Sequence, residues 1–132
     1  MIDKDMFEKG MKIRREVMGD ARVDASMSDL DDFNRDFMEQ FITELGWGAV
    51  WGREGLSRKQ RSLLNLGMLA ALGRSSEFEG HFRGALNNGL SRDELREALL
   101  QITLYCGAPA GMEAFRTARK VLAEFEKESD SE

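Results

Sequence analysis

The helical stretch 58–72, RKQRSLLNLGMLAAL, limits the fold more than any other part of the chain. It begins with basic residues and then becomes apolar on every side of the helix that its spacing predicts. A helix that is apolar all round must be covered from several directions. Since one small domain can cover it from only some of them, we expect an obligate oligomer.

The rest of the chain also shows helical spacing, and no stretch alternates as a strand does. We predict an all-α protein of about six helices in one domain, 1–132, with an N-terminal arm at 1–27 and a solvated tail at 126–132. The predicted helices span about 3–18, 28–45, 58–72, 76–88, 91–105 and 109–125. Asn88-Gly89 is expected to end the fourth helix, and Ser91 with Glu94 to form a capping box at the start of the fifth. Gly107 is expected to break the fifth helix, and Pro109 to begin the last.

Three details of this prediction can be checked directly. Residues 21–27 are expected to form a loop, and residues 46–55, GWGAVWGREG, an irregular aromatic bend. The apolar side chains expected to face inward are Leu30, Phe33, Phe37 and Phe41 in the second helix and Met112, Phe115, Ala118, Leu122 and Phe125 in the last.

Composition excludes several functions. The net charge of −5 gives no electrostatic basis for binding nucleic acid. No apolar run is long enough to cross a membrane, and the charged N-terminus leads us to expect no signal peptide. One cysteine and one histidine allow neither a disulfide nor a zinc site of the usual kind, so we expect a cytoplasmic protein without a metal.

The only histidine, His81, lies in the stretch SSEFEGHFRGALNNG. On the predicted helix Glu77 comes one turn earlier, and both residues lie at the border of an apolar stripe. A carboxylate beside an imidazole can transfer protons. A histidine at the edge of an apolar stripe is more often a core residue with a satisfied hydrogen bond, and both interpretations stay open on the pattern alone.

Three segments carry a resemblance to a known family. HFRGALNNGLSRDELREALLQITLYCGAPAG, at 81–111, strongly resembles the carboxymuconolactone decarboxylase family of the alkylhydroperoxidase D-like superfamily. GMKIRREVMGDARVDAS, at 10–26, and WGAVWGREGLSRKQRSLL, at 47–64, resemble its 4-carboxymuconolactone decarboxylase branch. The resemblance covers nearly the whole chain. It implies an alkylhydroperoxidase D-like helical bundle that assembles as a homo-oligomer, usually a hexamer.

The resemblance also implies an activity in aromatic-compound catabolism, the β-ketoadipate pathway. The substrate would be 4-carboxymuconolactone or a closely related lactone acid, which loses carbon dioxide to give 3-oxoadipate enol-lactone. No cofactor is implied, because the unsaturated lactone accepts the electrons that the carboxylate leaves behind. The protein has to hold a carboxylate with a cation, stabilise an enolate oxygen and deliver a proton to carbon.

His81 is the expected proton donor, because the ordinary pKa of histidine, about 6.5, suits proton exchange near neutral pH. Glu77 could orient the ring or share its proton, or could be a solvated carboxylate. Arg61 and Arg53 are the candidates for binding a substrate carboxylate, which a guanidinium matches with two hydrogen bonds. Arg53 could instead be a surface residue, and Arg61 part of an interface ion pair.

Other residues complete the expected substrate site. Asn88 could donate to the enolate oxygen or merely end its helix, and Tyr105 could offer a hydroxyl or pack in the core. Trp47 and Trp51 could form the wall of a pocket or anchor a hinge over the core. Cys106 is expected to be a small buried residue with a structural role.

Two departures from the family pattern bear on the substrate. The usual PAAN motif reads Pro-Ala-Gly-Met here, ending at Gly111 and Met112, and Glu54 replaces the usual proline. These changes could select a related but different acid. A thiol peroxidase of the alkylhydroperoxidase D type is disfavoured, because the cysteine pair that it needs is absent from this chain. A non-catalytic oligomeric binding protein is the other alternative.

Overall fold

The computed structural model describes residues 2–131, which form seven helices and no strand. The prediction of an all-α protein is confirmed, with one helix more than the sequence predicts. The helices are α1 (Lys4–Met18), α2 (Asp20–Ser28), α3 (Phe37–Val50), α4 (Arg58–Leu72), α5 (Ser75–Asn87), α6 (Arg92–Cys106) and α7 (Ala108–Asp130). They belong to two compact units, of which the first ends at Arg58 and the second begins at Lys59. One domain over 1–132 stays a prediction.

Helix α1 matches its predicted range because local hydrogen bonds fix both of its ends. The Asp3 carboxylate accepts from the backbone N–H of Met6 at 3.0 Å, which caps the start. Gly19, at φ 88°, ends the helix, and its N–H donates to the carbonyl of Arg15 at 2.9 Å. The positive φ at this position suits glycine and turns the chain into the next element.

Residues 20–28 form α2, so the loop predicted at 21–27 is wrong. Val23 is the only buried residue of α2, and one buried position gives no apolar stripe that sequence periodicity could detect. Arg15 of α1 also makes ion pairs with Asp20 at 3.1 Å and Asp24 at 2.8 Å in α2.

The second predicted helix, 28–45, begins later because the chain first closes a turn. The Asp31 carboxylate accepts from the backbone N–H groups of Phe33 and Asn34 at 2.9 and 3.2 Å. The Asn34 side chain accepts in return from the N–H of Asp31 at 2.8 Å. Helix α3 therefore starts after this turn and includes half of the segment 46–55, so the irregular bend predicted there is wrong for its first five residues.

Helix α3 is wound more widely than an α-helix, as a π-helix. At its end the N–H of Trp51 donates to the carbonyl of Gly46, five residues earlier, at 3.0 Å. The prediction that three phenylalanines face inward is wrong. Phe33, Phe37 and Phe41 are 95%, 55% and 59% exposed. A stripe placed with the α-helical period does not follow a helix with a longer period.

Helices α1 and α3 pack with their backbones in contact. A Cβ atom on Gly10 would come closer to the carbonyl oxygen of Thr43 than van der Waals contact allows, and would lie 2.9 Å from the nitrogen of Gly48. A Cβ atom on Gly48 would lie 2.6 Å from the carbonyl oxygen of Met6. Glycine at both positions therefore permits this packing. The core of the first unit consists of Ile13, Val17, Met18, Val23 and Trp47.

Arg14 is buried in the first unit and links its three helices. Its guanidinium donates to the Ser26 hydroxyl at 2.8 Å and to the sulfur atoms of Met27 and Met38 at 3.6 and 3.5 Å. Burial, and to a smaller extent the charge of Arg15, lowers the pKa of Arg14.

The second unit contains α5, α6 and α7 together with all of α4 after its first residue. Its core consists of Leu66, Phe78, Phe82, Ala85, Leu90, Leu95, Leu99, Ile102, Ala114, Ala118 and Val121. The Asn88-Gly89 end of α5 is confirmed, with Gly89 at φ 92°. The predicted break before α7 is confirmed as well, with Gly107 at φ 99° and Pro109 in the first turn.

The start of α6 carries the predicted capping box. The N–H of Ser91 donates to the Glu94 carboxylate, and the N–H of Glu94 donates to the Ser91 hydroxyl, both at 3.0 Å. The hydrogen bond from the Ser91 backbone, and then its side chain, lowers the pKa of Glu94.

Two apolar faces of the second unit remain exposed. On α4, Leu64, Met68 and Leu72 are exposed, the last to 71%. On α7 the inward placement of Met112 is wrong, since its side chain is exposed. Ala118 is buried as predicted, and the remaining members of the predicted stripe, Phe115, Leu122 and Phe125, are half-buried. The helices of this unit therefore leave large side chains without cover inside the chain.

Gly111 permits a close packing of α7 on α6. A Cβ atom there would lie 2.8 Å from both Cβ and Cγ2 of Thr103. Thr103 cannot easily turn away, because its hydroxyl donates to the carbonyl of Leu99 at 2.8 Å. The departure from the usual PAAN motif at this position is thus matched by a threonine on the neighbouring helix.

We expect Gly111→Ala to lower the free energy of unfolding by about 1–3 kcal/mol through overpacking. Combining it with Thr103→Ala should recover part of the loss, since the crowded Oγ1 and Cγ2 atoms of Thr103 are then removed. Thermal unfolding followed by circular dichroism measures both. A Gly111→Ala protein as stable as the original would contradict the packing.

Candidate functional site

Helices α4 and α5 bring an amide and an imidazole together in the second unit. The Asn65 Nδ2 atom lies 3.4 Å from His81 Nδ1, and both side chains are half-buried. The ring therefore has a hydrogen-bonding partner and also remains partly accessible to a ligand. The histidine is neither sealed in the core nor fully solvated.

The orientation of the Asn65 amide sets the chemistry of the ring. With Nδ2 facing the imidazole, the amide donates and Nδ1 accepts. The neutral ring then carries its proton on Nε2. In this tautomer Nε2–H can donate a hydrogen bond, and transfer of a proton from the ring requires its doubly protonated imidazolium form.

Arg61 lies on the same face of α4 as Asn65, one turn earlier. It is half-buried, and its Nε atom is completely buried. On the next position, the buried Ser62 accepts a hydrogen bond from the Asn88 amide at 2.8 Å. The turn of α4 that carries Ser62 and Asn65 is thus hydrogen-bonded to both the middle and the end of α5. Asn88 uses one amide hydrogen for this contact.

Glu77 is exposed on α5, and the Nδ1 atom of the imidazole contacts Asn65. Its role in proton transfer stays a prediction. Arg83, two residues beyond His81, is engaged elsewhere: it contacts Glu128 at 2.7 Å and Glu124 at 3.5 Å. The hydrogen bond to Glu128 is the main reason why the pKa of Arg83 is raised. Arg83 is therefore committed to α7 through these carboxylates.

Two residues of α6 lie elsewhere than the sequence suggests. Tyr105 is 77% exposed, so packing of its ring in the core is wrong for this chain. That the Tyr105 hydroxyl contacts the substrate stays a prediction. Cys106 is exposed, which contradicts the expected burial. It lines a groove of about 410 Å³ together with residues of α4, α5 and α7.

The remaining predicted site residues belong to the first unit. Trp47 is buried in its core and stacks on the half-buried Trp51, with ring centroids 4.7 Å apart. Trp51 and the exposed Arg53 line one groove of that unit. Of the two expected roles, Trp47 has that of an anchor in the core. Trp51 lies at the edge of a groove, as expected for the wall of a pocket.

Asn65 and Ser62 are the residues that the sequence analysis missed. Asn65 interrupts the apolar run of α4, and an amide on a helix that must be buried needs a polar partner. That interruption was the available signal. Its partner could not be found from the pattern, because it depends on how α4 and α5 pack.

Two further findings concern the described residues, 2–131. None of their helices is long and apolar enough to cross a membrane. In the same range no group of three or more histidine, cysteine, aspartate or glutamate side chains is arranged to hold a metal ion.

Comparison with known proteins identifies the family. The model of the carboxymuconolactone decarboxylase family matches residues 37–120. A 4-carboxymuconolactone decarboxylase of Acinetobacter baylyi is 43% identical over 121 residues, which cover 92% of this chain and 90% of the relative. The nitrosuccinic acid decarboxylase npaB of Metarhizium robertsii is 40% identical over 121 residues, covering 92% of this chain and 84% of the relative. The chain therefore belongs to the carboxymuconolactone decarboxylase family.

Proposed function

We propose that this protein is a cofactor-independent decarboxylase that acts on 4-carboxymuconolactone or a closely related acid. The observation that carries the proposal is the contact between Asn65 and His81, which holds the only imidazole of the chain half-buried with Nε2 as its proton donor. Membership of a decarboxylase family supports the same activity.

The chemistry follows from the substrate. When the carboxylate leaves as carbon dioxide, its electron pair moves through the ring double bond to the lactone carbonyl, which becomes an enolate oxygen. Protonation of carbon then gives the enol-lactone. The protein has to lower the energy of the enolate with fixed donors and supply one proton.

Three side chains of the second unit suit these tasks. His81 in its imidazolium form transfers the Nε2 proton to carbon and becomes neutral, and Asn65 positions the ring by accepting from Nδ1–H with its amide oxygen. Arg61, one turn from Asn65, binds a substrate carboxylate with its guanidinium. Asn88, Tyr105, Trp51 and Arg53 remain proposed substrate contacts, and Glu77 a proposed partner in proton transfer.

A second candidate substrate comes from the relative npaB, whose name gives nitrosuccinic acid. A nitro group, like an unsaturated lactone, can take up the electron pair that decarboxylation leaves on carbon. Both acids also carry two carboxylates, so one cation and one proton donor would serve for either. The departures from the family pattern at Glu54, Gly111 and Met112 are consistent with such a change of substrate.

The test is to incubate the purified protein with each acid, without added cofactor and with or without a metal chelator. We expect carbon dioxide release and loss of substrate by NMR with 4-carboxymuconolactone, unchanged by the chelator. Turnover of nitrosuccinic acid alone would assign the second substrate. A folded, assembled protein that releases carbon dioxide from neither acid would overturn the proposal and favour a non-catalytic binding protein.

Asn65→Asp should change the pH dependence of the reaction. A carboxylate beside Nδ1 favours the charged imidazolium, so the pH profile of kcat should shift to higher pH. Asn65→Leu should lower kcat without this shift, because it removes the contact that orients the ring. A profile that stays the same in the aspartate variant would contradict a positioning role for Asn65.

We also propose that the protein is a homo-oligomer, with the hexamer that the family resemblance implies. The exposed side chains Leu64, Met68 and Leu72 on α4 support it, because large apolar faces are normally covered. Light scattering should give a mass six times that of the 14.9 kDa chain. The reducing cytoplasm stays our expected compartment, since a chain with one cysteine forms no internal disulfide.

A further inference from the structure

A groove of about 380 Å³ lies in the first unit, between α1 and the segment that follows α3. Four cationic side chains line it, and one carboxylate. Lys9, Lys12 and Glu16 come from α1, and Arg53 and Arg58 from the other wall. The volume is within the range of pockets that hold one small organic molecule.

The groove lining contains more cationic than anionic side chains. Glu16 is the only carboxylate in the lining, and it pairs with Arg58 at 2.8 Å. Within residues 2–131 neither Lys9 nor Lys12 makes an ion pair. The two lysines are three positions apart on α1 and so lie on one face. This local excess occurs in a protein whose net charge is −5.

The groove also has a fixed apolar side. Trp51 borders it, and its ring is held by stacking on Trp47, whose centroid is 4.7 Å away. Gly52 leaves space for Lys9: a Cβ atom there would lie 2.6 Å from Lys9 Cε and 2.9 Å from Nζ. The ammonium group therefore lies over the backbone of Gly52.

We propose that this groove binds small dicarboxylic acids, with one carboxylate at Lys9, the other at Lys12, and the carbon skeleton against Trp51. A long polyanion is disfavoured, because the net negative charge of the chain repels it and the groove holds one small molecule. The proposal rests on the proposed function only for the choice of a dicarboxylate, the class to which both candidate substrates belong. It adds a binding role for Lys9 and Lys12.

Adipate serves as a stable dicarboxylate probe, and hexanoate as the matched acid with one carboxylate. Both tryptophans of the chain are in the stack at this groove, so their fluorescence reports its occupancy. We expect adipate, at constant ionic strength, to change the fluorescence and to give a calorimetric Kd at least about tenfold below that of hexanoate. Lys9→Gln with Lys12→Gln should raise the adipate Kd by about tenfold or more.

Lys4→Gln is the control, because it removes a lysine from the same helix outside the groove and should leave the adipate Kd unchanged. His81→Ala should also leave it unchanged, which separates this proposal from the catalytic one. An adipate-induced tryptophan fluorescence change that persists with an unchanged Kd in the double lysine variant would overturn the groove proposal. So would the absence of any fluorescence change in the original protein, even if decarboxylation is intact.

Discussion

His81→Ala is expected to lower kcat for decarboxylation by about 10²–10⁴-fold, the usual contribution of a general acid. The alanine variant keeps the packing of α5, since its neighbours Phe78 and Phe82 form the buried face of the helix. What it loses is the only imidazole of the chain and the proton on Nε2. The measurement is the rate of carbon dioxide release at saturating substrate, compared with the original protein.

Glu79→Gln provides the matched control for this experiment. It removes a charge from the same helix, two residues before the histidine, where the carboxylate pairs with Lys120 at 2.8 Å. Because this pair is at the surface, we expect neither kcat nor stability to change much. A His81→Ala protein that decarboxylates at a rate near that of the original would show that the proton comes from another group.

Gly10→Ala is expected to lower the free energy of unfolding by about 3 kcal/mol, near the upper end for overpacking. The added methyl group would meet the carbonyl oxygen of Thr43 and the nitrogen of Gly48, which are backbone atoms of α3. Backbone atoms cannot move to another rotamer, so α1 and α3 would have to separate. Thermal and denaturant unfolding followed by circular dichroism would measure the loss.

Gly46→Ala is the control for Gly10→Ala. It adds a methyl group to α3, the helix that the Gly10 methyl group would meet. There the new atom would lie 3.4 Å from the carbonyl of Phe41, an ordinary contact. We expect a change of about 1 kcal/mol or less, of either sign. Equal effects of the two substitutions would mean that α1 and α3 tolerate a wider separation than their packing indicates.

Local signals predicted most of the second unit. The range of α4, the capping box of Ser91 and Glu94, and the glycine ends at Gly89 and Gly107 all depend on neighbours a few residues away. Such signals are contained in the order of the residues. The all-α class and the range of α1 followed from the same kind of information.

The errors in the first unit have a different cause. Helix α2 is held by ion pairs and by Arg14, and the turn closed by Asp31 and Asn34 moves the start of α3. The π-type winding of α3 then places Phe37 and Phe41 on a face that the α-helical period assigns to the core. None of these effects has a periodic signature in the sequence.

The candidate site was predicted in part. A lone histidine at the border of an apolar stripe was visible, and so was Arg61 as a candidate cation. Its partner Asn65 was not predicted, because the contact joins residues on two helices that are 16 positions apart. A side-chain pair of this kind is fixed by tertiary packing, which the spacing of apolar residues alone does not determine.

The exposed phenylalanines of the first unit have a consequence for how the protein responds to dilution. Phe33, Phe37 and Phe41 are a large unburied apolar surface for a chain of this size. If other copies cover that surface, folding and association form a single equilibrium governed by mass action. The unfolding temperature would then rise with protein concentration. In a cell, newly made chains would have to be protected from aggregation until enough copies had accumulated to associate.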